Sequence, residues 1–80
     1  MSIAINGMGV SLIHVRYDGR SYEIRVDEMN NVQNGMSSSE LLTAIENHLD
    51  FDVGAFNGYE LDIVEETENA ILHPAVKFGV

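Results

Sequence analysis

Between Val10 and Asp27, apolar and polar residues alternate with a period of two on both sides of an Asp-Gly dipeptide. The alternation predicts two β-strands, and Asp18-Gly19 suits a two-residue type I′ turn, whose central residues both need positive φ. Such a turn pairs Tyr17 with Arg20, Val15 with Tyr22, Ile13 with Ile24 and Ser11 with Val26. Ile13, Val15, Tyr17, Tyr22, Ile24 and Val26 then share one face, the expected core face. The opposite face carries Leu12, His14 and Arg16 across from Arg25, Glu23 and Ser21, with Glu23 in cross-strand reach of His14 and Arg16. A slip of one residue would expose the apolar set and bury charge, so the register is strongly specified.

A polar, Asn-rich loop follows, with a turn expected at Asn34-Gly35. The pattern then changes from a period of two to that of a helix. Ser37 stands at the N-cap with Glu40 at the third helical position, a capping box, and Met36 and Leu41 occupy the two positions of a hydrophobic staple. Leu41, Leu42, Ile45 and Leu49 form the apolar stripe, with Ala44 beside them, and Glu40, Thr43, Glu46 and Asn47 are expected toward solvent. A helix of about three turns is marginal alone, so the stripe must pack on the core face of the hairpin.

Past Asp50, the residues Phe51, Val53 and Phe56 are expected as anchors under the sheet, and Asn57-Gly58 as a turn. Tyr59, Leu61 and Ile63 alternate with Glu60 and Asp62, which predicts a third strand with an acidic outer face. Thr67-Glu68-Asn69 reads as the tip of a second hairpin leading into a last strand that contains Pro74. Proline cannot donate a ladder hydrogen bond, so that strand is expected at an edge, bulged at Pro74, or split into two pieces. Residues 1–9 are interrupted by Asn6-Gly7 and Gly9 and read as a loosely ordered N-terminus, with a short edge strand at most over 2–5. The expectation is one α+β domain over 10–80, in the order β-β-α-β-β, with one helix covering one face of a four-stranded sheet.

Composition narrows the function. Eighty residues make a single domain, one that buries only roughly 60% of the surface its unfolded chain exposes. There is no cysteine, which excludes a disulfide framework and a thiolate metal site. No apolar run approaches the length of a membrane span and no signal segment is recognisable, so a cytoplasmic location and no membrane partner are the expectation. Thirteen acids stand against four bases, a formal net charge of −9, which repels a phosphate backbone and argues against a nucleic-acid partner. Arg16, Arg20 and Arg25 nevertheless gather on the first hairpin, whereas Asp50, Asp52, Glu60, Asp62, Glu65, Glu66 and Glu68 follow one another with no base between them. The acidic run serves solubility or offers a docking surface for a basic partner.

Candidate chemistry is sparse. His14 lies opposite Glu23, where an ordinary cross-strand ionic contact explains it. His48 sits near the helix C-terminus, where a charged imidazole suits the dipole, and His73 belongs to the last strand. No spacing brings two histidines together as zinc ligands. Asp50-x-Asp52-x-Gly54 begins like a calcium loop, but Gly54 stands where an oxygen ligand belongs, Ala55 where glycine belongs and Leu61 where a bidentate glutamate belongs. The glycines make no phosphate-binding loop, and Ser37, Ser38 and Ser39 are helix-start residues without a neighbouring base. Neither a cofactor nor a metal nor catalysis is therefore expected.

The arrangement of elements from Val10 to Phe78, a hairpin, a capped helix across it and a looser second half ending in a strand, resembles the ubiquitin-like β-grasp group. The resemblance implies that the final strand lies centrally, beside and parallel to the first. Conjugated members end in Gly-Gly, whereas Phe78-Gly79-Val80 stands at the end here, so the resemblance implies the non-conjugating use of the fold as a docking module. The leading expectation is a protein-interaction module that binds a protein partner through the polar hairpin face, His14, Arg16, Glu23 and Arg25, or by adding a strand at an edge. The alternative is a modifier or carrier acting through its C-terminal tail. A third expectation is homo-oligomerisation through an exposed edge strand such as the last one.

Overall fold

A computed structural model describes residues 2–75. The opening hairpin forms in the expected register: β3 (Leu12–Tyr17) runs antiparallel to β4 (Arg20–Arg25), with Ile13 opposite Ile24, Val15 opposite Tyr22 and Tyr17 opposite Arg20. Asp18 and Gly19 have φ of 53° and 75°, the two positive values that a type I′ turn requires. The ladder stops one pair short of Ser11 and Val26, where Val26 N–H donates to the Ser11 carbonyl at 3.0 Å and the chain enters a 3-10 turn over Val26–Glu28.

Two more strands complete the sheet. β5 (Tyr59–Val64) and β6 (Asn69–Pro74) form an antiparallel hairpin, joined by a 3-10 turn and by Glu68 in the left-handed region at φ 56°. The sheet order is β4-β3-β6-β5, with β6 parallel to β3 from Leu12–Asn69 to Val15–Leu72. This mixed α+β architecture is compatible with a β-grasp arrangement. The last strand is thus no edge, neither for Pro74 nor for self-pairing, and β4 and β5 are the edges of the sheet. A central strand tolerates Pro74 because of where its nitrogen points. Ala75 N–H donates to the Gly58 carbonyl at 3.0 Å, so the neighbouring pair, Pro74 with Tyr59, is a non-bonded one in the antiparallel alternation. The proline nitrogen faces β3, and the parallel ladder goes no further than Leu72 on that side.

The N-terminal segment is more ordered than its composition suggests. β1 (Ile3–Ile5) and β2 (Met8–Val10) form a separate two-stranded hairpin around Asn6-Gly7, again with two positive φ values. Ile5 and Val10 are fully buried, and Ile5 bridges to Met36 just before the helix. This hairpin therefore closes one end of the core.

The helix α1 (Ser38–His48) starts at Ser37, whose Oγ accepts the Glu40 N–H at 3.3 Å. The Glu40 carboxylate takes the Ser37 hydroxyl at 3.2 Å, so the two side chains of the capping box are bonded to each other. Met36 and Leu41, the staple pair, are both buried. Leu41, Ala44 and Ile45 pack with Ile13, Val15, Ile24, Ala70 and Leu72, with Leu42 and Leu49 half-buried at the rim. Each fully buried Leu or Ile side chain contributes about 1.5–3 kcal/mol, which offsets the poor intrinsic stability of so short a helix.

The helix ends in a Schellman motif with Asp50 at φ 60°: Phe51 N–H donates to the Glu46 carbonyl at 2.8 Å and Asp50 N–H to that of Asn47 at 3.3 Å. The reversal delivers Phe51 to an aromatic cluster at one end of the sheet, 4.8 Å from Tyr17 and 5.7 Å from Tyr22 and from Phe56, with Phe56 5.3 Å from Tyr59. Two expectations fail in this region. Val53 is no anchor, being 91% exposed at the loop tip. Glu46 is not on the solvent side: it is buried, and its Oε2 accepts the Phe56 N–H at 3.1 Å, because the 51–58 loop folds over the helix and its backbone needs an acceptor there.

Candidate functional site

With the helix on the Ile13 and Val15 side, the opposite side of the sheet has no element packed on it among the described residues. The strand registers compose it row by row. Arg25, Leu12, Asn69 and Val64 form one row across the four strands, and Glu23, His14, Ile71 and Asp62 the next. Ser21 pairs with Arg16 and Glu60 with His73 beyond them. All four residues singled out from sequence, His14, Arg16, Glu23 and Arg25, thus lie on this open face, on β3 and β4.

Their contacts differ from expectation. No ion pair joins Glu23 to His14 or Arg16 among the described residues, although Glu23 is the register partner of His14. Arg25 instead reaches back to Asp27, with Nε 3.8 Å from Oδ1. Both groups are exposed, and such a pair contributes little. Arg16, Glu23 and Arg25 are therefore charged side chains held mainly by the strands that carry them. Leu12 and Ile71, half-buried on the two central strands, put apolar surface in the middle of the face, and Val64, 37% exposed, lies on the edge strand β5. At its Leu12 end, Ser11, Leu12, Glu23, Arg25, Asp27 and Glu28 line an open groove of about 550 Å³.

The best-defined polar contact on this face was not anticipated. His73 Nε2 lies 2.6 Å from Asp62 Oδ2, and His73 Nδ1 lies 2.9 Å from the Pro74 carbonyl oxygen. Two acceptors, one at each ring nitrogen, are satisfied together only by the doubly protonated imidazolium. The hydrogen bond to Asp62, reinforced by the one to Pro74, accordingly raises the His73 pKa above its ordinary value against a smaller opposing effect of desolvation. The sequence did not carry this signal: a tip at Thr67-Glu68-Asn69 would pair Glu66 with Ala70 and put Asp62 and His73 on opposite faces, whereas the connection runs over Glu65–Glu68 and Asn69 already pairs with Val64, which brings the two to one face.

The face thus carries Arg16 and Arg25 together with Glu23 on β3 and β4, and only acids among its charged side chains on β5, where Glu60 and Asp62 precede Glu65 and Glu66. Among the described residues, no group of three or more His, Asp or Glu side chains converges to hold a metal ion, and no helix is long and apolar enough to cross a membrane. The segment Phe78-Gly79-Val80, on which the tail-dependent expectation rests, lies outside the described residues. No family model, curated protein or solved structure matches the chain.

Proposed function

We propose that the protein is a non-catalytic, cytoplasmic interaction module that docks a protein partner on the open face of its sheet, with Arg16 and Arg25 as the principal contacts and His14 and Glu23 beside them. The observation that supports it is the asymmetry of the sheet. One face is occupied by α1, and the other displays guanidinium groups around the half-buried Leu12 and Ile71. Arginine beside apolar surface is the composition that anchors protein contacts, because its planar fork is weakly hydrated and binds carboxylates with two parallel hydrogen bonds. The free edges β4 and β5 are a second route to the same end, by strand addition. Nothing on the described residues favours the tail-dependent carrier role over this one.

The test is site-specific photo-crosslinking in the native cell extract. A photoreactive residue at position 16 or 25 should capture a partner that the same group at Thr43, on the exposed side of α1, does not. The pair Arg16→Glu and Arg25→Glu should abolish recovery of that partner without lowering stability. Equal capture from Thr43, or undiminished recovery by the double variant, would remove the open face from consideration.

A further inference from the structure

Three Asn-Gly dipeptides occur in the chain, at Asn6-Gly7, Asn34-Gly35 and Asn57-Gly58. In any such dipeptide the glycine nitrogen can attack the asparagine side-chain carbonyl carbon, since no Cβ on the following residue obstructs the approach. The structure treats the three very differently. At Asn34-Gly35 both reacting groups are engaged: Asn34 Oδ1 accepts the Ala4 N–H at 2.8 Å, and Gly35 N–H donates to the Ala4 carbonyl at 2.9 Å. At Asn6 the side-chain amide donates to the Ser38 hydroxyl at the start of α1. At Asn57 neither group is held by a described residue. Its exposed side chain makes no hydrogen bond among the described residues and only rests over Gly54, while the Gly58 N–H donates to no group among them.

We propose that Asn57 is a self-modification site, at which Gly58 closes a succinimide that water opens to aspartate or isoaspartate. The Gly58 nitrogen forms a bond to Asn57 Cγ, and the Cγ–Nδ2 bond breaks. The departing amide leaves as ammonia, carrying the proton that the Gly58 nitrogen gives up. Water then adds to either ring carbonyl and breaks its bond to that nitrogen, which regains a proton. Opening at Cγ gives aspartate, and opening at the main-chain carbonyl gives isoaspartate, with the main chain now running through Cγ. The sum is asparagine plus water to a carboxylic acid plus ammonia, with no other reactant.

The location gives the change a structural consequence. Tyr59 N–H donates to the Phe56 carbonyl and Ala75 N–H to that of Gly58, each at 3.0 Å, so two hydrogen bonds bracket the dipeptide at the start of β5. Isoaspartate adds one main-chain carbon inside that bracket, between Phe56 and Tyr59 of the aromatic cluster, and one negative charge to an already acidic flank. The modified form should therefore show loosened amides at the start of β5.

The full chain, incubated at mildly alkaline pH with and without urea, tests the assignment. Conversion at each site is followed by peptide mass spectrometry and by labelling with an isoaspartyl methyltransferase. In the native protein Asn57 should convert about tenfold or more faster than Asn34, whose two hydrogen bonds must open first, with Asn6 also slower than Asn57. In urea the three rates should converge. Asn57→Gln, which would have to close a six-membered ring, should remove most native isoaspartate label and leave Asn6 and Asn34 as they were. Native conversion of Asn6 or Asn34 as fast as that of Asn57, or persistence of the native label in Asn57→Gln, would overturn the proposal.

Discussion

Glu46 offers the sharpest test of how the second half of the chain is held to the first. It is 5% exposed on the inner side of α1, and its Oε2 accepts the N–H of Phe56, itself buried in the aromatic cluster. Removing the acceptor leaves a buried backbone donor without a partner, at a cost of about 1–3 kcal/mol. Glu46→Leu keeps most of the packed stem and should cost about 2 kcal/mol from that cause alone. Glu46→Ala also loses the packing of the stem, roughly a further 1 kcal/mol. Glu46→Gln retains a carbonyl oxygen at nearly the same place and should cost less than about 1 kcal/mol. In a domain of this size each kcal/mol moves the midpoint by about 4–8 °C, so the leucine variant should melt about 8–16 °C below wild type and the glutamine variant only a few degrees below it. Urea unfolding followed by tyrosine fluorescence and near-ultraviolet circular dichroism reads the series directly. A leucine variant within about 0.5 kcal/mol of wild type, or a glutamine variant as unstable as leucine, would refute the hydrogen bond as the tie between helix and loop.

The other predictions concern single contacts. Asp50 closes the Schellman motif at φ 60°, so Asp50→Gly should hold or raise stability by about 0.5 kcal/mol, while Asp50→Val should cost about 1–2 kcal/mol because a β-branched residue resists that conformation. The unfolding midpoint of each decides the matter. Ser37→Ala removes the acceptor for the Glu40 N–H and should cost about 1 kcal/mol, read in the same urea titration. The raised His73 pKa means that the folded state holds its proton more tightly than the unfolded chain, with its ordinary value of 6.5. That contribution is fully present below 6.5 and is lost as pH rises through the higher folded value. A nuclear magnetic resonance titration of the His73 ring should give a lower midpoint in Asp62→Asn than in wild type. The stability advantage of wild type over that variant should shrink across the same window. An unmoved His73 titration would show that Asp62 is not its partner in solution.

Legibility differed from element to element for identifiable reasons. The first hairpin could be read to the residue because one dipeptide sets its turn and every alternate residue agrees on the same face. The start of the helix was equally plain, since Ser37, Glu40, Met36 and Leu41 act within one turn of each other. The N-terminal hairpin leaves little local signal because its strands are short and its order comes from the bridge between Ile5 and Met36, distant in sequence. The same reason hid Glu46, whose pattern on the helix is polar and whose burial depends on where the loop to Phe56 lands. On the open face, His14, Arg16, Glu23 and Arg25 were found together because one hairpin carries them all. Asp62 and His73 were not joined to them, since that needs the parallel pairing of β3 with β6.

What the amino-acid order determined by itself is therefore local: the turn at Asp18-Gly19, the faces of the first hairpin and of the strand from Tyr59, the cap and apolar stripe of the helix, and the concentration of arginines against a long acidic run. These depend on interactions between residues a few positions apart, which steric preference and periodicity specify directly. Only the tertiary structure decided the strand order, the central place of a strand containing proline, the burial of Glu46 and the exposure of Val53. Each of these depends on which distant segments share a surface, a choice made by the summed burial of many side chains and by the need to pair every backbone group taken out of water.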